Sequence, residues 1–118
     1  AALGGFDIAG LAGVFIGGAI YHVPIVMDGF ISTTAALTAT RICPECADYI
    51  MASHVSREPA AEKILAALGQ EAALHCDMCL GEGTGAVTLF PILDLAVEIY
   101  EQMSTFEDID IEAYVELK

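Results

Sequence analysis

Basic residues are scarce in this chain: four Lys and Arg stand against 17 Asp and Glu in 118 residues, a formal charge of -13. A field of that sign repels nucleic acid and anionic membrane surfaces, so neither is expected as a partner. A phosphate-bearing ligand would need local help from backbone N–H groups, because the global field opposes it. Charge of either sign is also sparse, at 18% of residues, whereas 56% are hydrophobic. Most of the chain is therefore expected to be buried, and general disorder is excluded. The length suits one domain, or part of one, with a real core. There is no secretory signal and no initiator Met, and the sequence opens inside an apolar pattern, "AALGGFDIAGLAG". These absences read as a fragment or processed piece of a cytoplasmic protein, its four cysteines reduced thiols rather than disulfides.

Lys and Arg are also missing from the flanks of Ile8 to Met27, a stretch containing Gly13-x-x-x-Gly17 and, at about twenty residues, long enough to span a bilayer. Without basic anchors, and with "YHVP" breaking the run, a buried glycine-rich helix followed by a buried strand is the better account. Period and punctuation then give an alternation. Phe6 to Tyr21 reads as a helix, Val23 to Met27 as a strand, and Ile31 to Ile42 as a helix with Ser32 or Thr33 as N-cap. Asp48 to Ser53 reads as a strand, and Glu58 to Gly69 as a helix with Pro59 in its first turn and Gly69 at its end. A weak strand over Ala72 to Cys76 leads to "CDMCLGEGTGA", and Gly85 to Phe106 reads as a long helix that tolerates Pro91 early or kinks there. Residues 107–118 alternate acidic and apolar; they fit a frayed helix, an edge strand or a tail.

This order predicts an α/β chain: βαβ units with a parallel sheet, in an incomplete Rossmann-like three-layer fold with a long C-terminal helix. Three strands are few for a sheet buried on both faces, so others are expected from a preceding part of the chain or another subunit. Ligands of such sheets bind beyond the carboxyl ends of the strands. "MDGFIS", "ASHVSREP" and "CDMCLGEGTG" all lie there, and together they are expected to form one site.

Cys43-Pro-Glu-Cys46 and Cys76-Asp-Met-Cys79 form two CxxC pairs, a spacing that suggests zinc. The first pair precedes a strand and the second follows one, so the four thiols fall at opposite ends of a parallel sheet and cannot share one tetrahedral ion. Free packed thiols are the plainer reading, and a small metal- or redox-binding module the competing one. "GEGTGA" lacks the Lys of a phosphate-binding GxxxxGK[ST] loop and does not fit GxGxxG. Glu82 sets it apart from an ordinary tight turn. A carboxylate between two glycines can approach a ligand closely, and an apolar neighbour such as Leu80 suits a group that must take up a proton. Asp28, before Gly29, reads as turn chemistry or as part of a site. His22 reads as a helix-end residue. Ser53, His54 and Ser56 lie just past a strand, but no nucleophile–base spacing marks a triad.

The ordered set "PIVMDGFISTTAAL", "DYIMASHVSREP", "LAALG" and "MCLGEGTGAVTLFPILDLAVEIYEQMSTFED" closely resembles the carboxyl-terminal third of the nicotinate-nucleotide–dimethylbenzimidazole phosphoribosyltransferase family, from Gly4 to Asp108. "DGF", the "SH-x-S-x-E-P" turn and "LGEGTGA" are far more specific in this order than any one alone. The resemblance implies that residues 1–118 are the C-terminal portion of a larger transferase, inactive in isolation. The larger protein would move phosphoribose from nicotinate mononucleotide to 5,6-dimethylbenzimidazole or a related aromatic base, releasing nicotinate and α-ribazole phosphate for cobalamin assembly. Glu82 matches the general base, Leu80 and Gly81 line the pocket, and Gly29, Phe30 and Ser56 match positions contacting nucleotide or product. No metal or cofactor is expected; the expected partners are a second copy in a homodimer or the missing N-terminal part. Two departures stand out: Cys79 where members often carry Arg, and Val55 where many carry a basic residue, leaving phosphate affinity weaker or supplied by Arg57 or the missing part. A third reading is a non-catalytic oligomerisation piece.

Overall fold

The computed structural model describes residues 4–112, 114 and 115. Helix α1 (Phe6–Tyr21) has the expected bounds and ends where His22 turns left-handed, φ 55°, so that the Val23 N–H returns to the Gly18 carbonyl at 2.8 Å. Strand β1 (Ile25–Met27) follows, then α2 (Phe30–Ile42). Neither Ser32 nor Thr33 caps α2. The N-cap is Gly29, and both hydroxyls lie inside the first turn, each donating back to the Gly29 carbonyl at 2.8 Å. Small residues decide the packing of α2: Ala35, Ala36 and Ala39 are wholly buried, which lets α1 approach closely with Ala12 and Phe15.

A 3-10 helix, Pro44–Tyr49, occupies the start of the segment expected to be extended, so β2 is the short strand Ile50–Ala52. It runs parallel to β1 with Ile25 opposite Ile50 and Met27 opposite Ala52, making β1–α2–β2 one βαβ unit. The weak third strand is reduced to a single parallel bridge between His54 and Leu74. Leu74 N–H donates to the Ser53 carbonyl at 2.9 Å and Val55 N–H to the Leu74 carbonyl at 3.0 Å. The α/β class and its parallel pairing are as expected, with the sheet narrower than expected among the described residues.

Helix α3 (Ala61–Leu68) begins after Pro59, which lies in the preceding turn, and stops at Gly69, φ 68°. Buried Leu65 joins the core with Met27, Cys46 and Ile50. Helix α4 (Thr84–Gln102) is the long C-terminal helix, with Pro91 inside it, and it stops four residues short of Phe106. Only Gly85 and Leu89 are buried on α4, while Val87, Leu95 and Val97 are exposed. A helix apolar on most faces is normally buried all round. Residues 106–110 form turns, and the described residues beyond them are neither helix nor strand. No helix among the described residues is long and apolar enough to cross a membrane.

The start of α4 is seated against the sheet at Gly85. A Cβ there would lie 1.9 Å from His54 Nδ1 and 2.9 Å from Asp28 Oδ1, and His54 is itself buried. Gly85→Ala is therefore expected to lower the melting temperature, because overpacking costs about 1–3 kcal/mol and exceeds the ~1 kcal/mol gain in helix propensity. Thermal unfolding of the two proteins checks it, and an unchanged or higher midpoint would show that His54 moves aside freely.

Candidate active site

Each strand of this unit feeds a loop at its carboxyl end, and the loops converge. β1 runs into Asp28-Gly29, β2 into the Ser53–Glu58 turn, and the segment bridged at Leu74 into Cys76–Gly83. Together they enclose an open cavity of about 690 Å³. Gly29, Phe30, Ser56, Leu80, Gly81 and Glu82, the six residues expected from sequence, all line it. Asp28, His54 and Cys79 line it too.

Glu82 occupies an unusual backbone. Gly81, Glu82 and Gly83 are successive left-handed residues with φ of 74°, 57° and 76°. For the two glycines this costs nothing extra; for Glu82 the cost is of order 1–2 kcal/mol. The turn is held from both sides. Thr84 donates its N–H and its hydroxyl to the Gly81 carbonyl at 3.0 and 2.7 Å. On the other side the Gly83 N–H donates to Asp28 Oδ2 at 3.1 Å. The Glu82 side chain is exposed to the cavity, and Leu80, 74% exposed, does not close an apolar wall over it.

Asp28 does more than shape its own turn. Its Oδ1 also accepts the N–H groups of Gly85 at 2.8 Å and Ala86 at 3.2 Å. One carboxylate thus satisfies the amino end of α4 from across the fold, where free N–H groups and the helix dipole favour an anion. The amides at the start of α4 are consequently taken up within the protein, those of Gly83, Gly85 and Ala86 by Asp28 and that of Thr84 by the Gly81 carbonyl.

His54 is buried between the amino ends of α2 and α4, beside Gly29 and Gly85. Ser53 Oγ lies 3.0 Å from the Asp28 carbonyl and 3.0 Å from His54 Nδ1. A carbonyl only accepts, so the serine proton goes there and Ser53 accepts from Nδ1–H. In the neutral ring this leaves Nε2 as an acceptor. Sequence reasoning left Asp28 undecided and gave His54 no defined role. The available signal was Gly85, a poor helix former in a first turn, which marks a close approach.

The thiols divide as their position along the sheet requires. Cys43 and Cys46 precede β2, whereas Cys76 and Cys79 lie beyond its carboxyl end and are exposed. Burial pushes the Cys46 thiol up to about 11, with Cys43 adding to the shift through a hydrogen bond. Among the described residues no three His, Cys, Asp or Glu side chains are grouped to hold a metal.

A sequence profile described as phosphoribosyltransferase matches residues 1–111. The chain belongs to this phosphoribosyltransferase family. It is 54% identical over 112 residues to the nicotinate-nucleotide–dimethylbenzimidazole phosphoribosyltransferase of Acetivibrio thermocellus, covering 95% of this chain and 32% of that protein. The enzyme of the same name from Ruminiclostridium cellulolyticum is 52% identical over 118 residues, covering 100% of this chain and 34% of that protein. In structure the chain is similar to CobT from Thermus thermophilus, with a TM-score of 0.87 at 38% identity over 95% of this chain and 33% of that one. It spans about a third of the length of the curated relatives it matches.

Thiol labelling tests the assignment of the cysteines to packing and surface. Iodoacetamide at pH 8 is expected to modify Cys76 and Cys79 quickly and to spare Cys46, read by peptide mass spectrometry. Because folding raises the value of Cys46, its stabilising contribution is complete below the ordinary thiol range and is lost as pH rises through about 11. Labelling of Cys46 as fast as Cys79 in folded protein would contradict its burial.

Proposed function

We propose that this chain contributes the general base and one wall of the substrate pocket to a phosphoribosyltransferase acting on nicotinate mononucleotide. The acceptor is 5,6-dimethylbenzimidazole or a related aromatic base, and the products are α-ribazole phosphate and nicotinate. The observation that carries this reading is the meeting of Glu82 with Gly29, Phe30, Ser56, Leu80 and Gly81 around one cavity, in a chain more than half identical to proteins bearing that enzyme name.

The chemistry asks little beyond placement and a base. The acceptor's ring nitrogen forms a bond to C1′ of the ribose as the bond from C1′ to the pyridinium nitrogen breaks. The electrons of that bond neutralise the departing pyridinium, which leaves as nicotinate. The acceptor's N–H proton passes to the Glu82 carboxylate. Phe30 and Leu80 offer apolar surface for flat rings, and the Ser56 hydroxyl offers a hydrogen bond to the nucleotide. Catalysis is proximity plus one proton transfer.

The exposed apolar faces of α4 favour an occupant of similar character. The remaining length found in the relatives, or a second copy in a homodimer, would cover them, and the protein would work in the cytoplasm. A metal or redox role for the CxxC pairs has less support, since they lie at opposite ends of β2.

The decisive variant is Glu82→Gln in a full-length protein carrying this chain. Turnover is expected to fall on the order of a hundredfold or more, with nicotinate mononucleotide affinity by calorimetry within about twofold of the parent. Undiminished turnover would remove Glu82 from the mechanism.

A further inference from the structure

We propose that Asp28 is the positioning residue for Glu82, fixing the base through the backbone of its turn rather than touching substrate. The inference rests on reading Glu82 as the base. Its own support is geometric. Glu82 sits in a run of left-handed residues flanked by glycines, and glycine backbone has many alternatives, so the turn does not specify itself. What specifies it is a pair of anchors. Thr84 ties the peptide on the Gly81 side locally, and Asp28 ties the Gly83 N–H to the sheet.

Asp28 is suited to that task because it is held in turn. It directly follows β1, its carbonyl accepts the Ser53 hydroxyl at 3.0 Å, and its second carboxylate oxygen is fixed by the Gly85 and Ala86 N–H groups. The same carboxylate therefore references the helix start and the residue after Glu82 to one point on the sheet. A displacement of about 1 Å at a reacting group can cost on the order of a hundredfold in rate, so an anchor of this kind affects the transition state more than ground-state binding.

Asp28→Asn is nearly isosteric. It retains an acceptor for Gly85 and Ala86 but turns an N–H₂ donor toward the Gly83 N–H. In a full-length protein carrying this chain, we expect kcat to fall roughly ten- to a hundredfold with the KM for nicotinate mononucleotide within about twofold. In the Glu82→Gln background the same change should have no further effect, because misplacing an absent base costs nothing. Melting curves accompany each variant. Should Asp28→Asn not fold, Asp28→Glu, which keeps the charge but moves the carboxylate by one methylene, is carried through the same cycle with the same expectation. Equal losses from the Asp28 change on both backgrounds, or an unchanged kcat, would overturn the positioning role. If Glu82→Gln itself turns over normally, the base assignment fails first, and the positioning role falls with it for that separate reason.

Discussion

The carboxylate of Asp28 on the amino end of α4 is the contact that the rest of the site depends on. Helix α4 buries little besides Gly85 and Leu89 against the described chain, so hydrophobic contact does not fix its angle or depth. Three N–H groups converging on one anion do, in a place where the helix dipole adds to each bond. From that contact follow the close approach that excludes a side chain at Gly85, the lodging of His54 between two helix ends, and the setting of Glu82 in the cavity lining.

What the sequence made legible was local. The bounds of α1 and the run of α2 could be read because apolar and small residues recur at helical spacing and a capping position or a Gly/Pro signal stands near each end. The short strands were visible as apolar runs, but their lengths were not. Pro44 and Asp48 belong to a 3-10 turn whose i to i+3 bonds compete with extension. Segment 72–76 makes one bridge because, among the described residues, nothing pairs with its outer edge. Ser32 and Thr33 have the chemistry of caps, yet Gly29 takes that role and frees both hydroxyls to bond back within the first turn. The bond from Asp28 to Gly85 was beyond reach, since 57 residues separate the partners and no spacing rule links them. The six residues expected at the site, which line one cavity, were singled out by family pattern, which encodes such tertiary facts without stating them.

The exposed face of α4 and the hydrophobic content of the chain point the same way. A composition that is 56% hydrophobic is hard to reconcile with a long helix whose Leu95, Val97 and Tyr100 face solvent. The relatives it matches are about three times as long, and under the proposed function added structure of that size would supply both sheet edges and a cover for the helix. On that reading the small parallel pair would be part of a wider sheet, and the cavity at its carboxyl end one side of a pocket.

Under the proposed function, that division has a consequence for the phosphate of the nucleotide. The net charge of -13 opposes it, the amides at the start of α4 are already bound by Asp28, and Cys79 brings a thiol to the cavity lining, not a cation. Arg57 lines a neighbouring cavity together with Glu58, Glu62 and Asp77. In that proposal the donors for the phosphate would come chiefly from the remaining length found in the relatives. In the proposed reaction this chain would supply a base held from the sheet, with charge recognition left to other parts of the protein. Such a separation is physically favourable, because a strong cation beside Glu82 would stabilise its carboxylate and weaken it as a proton acceptor.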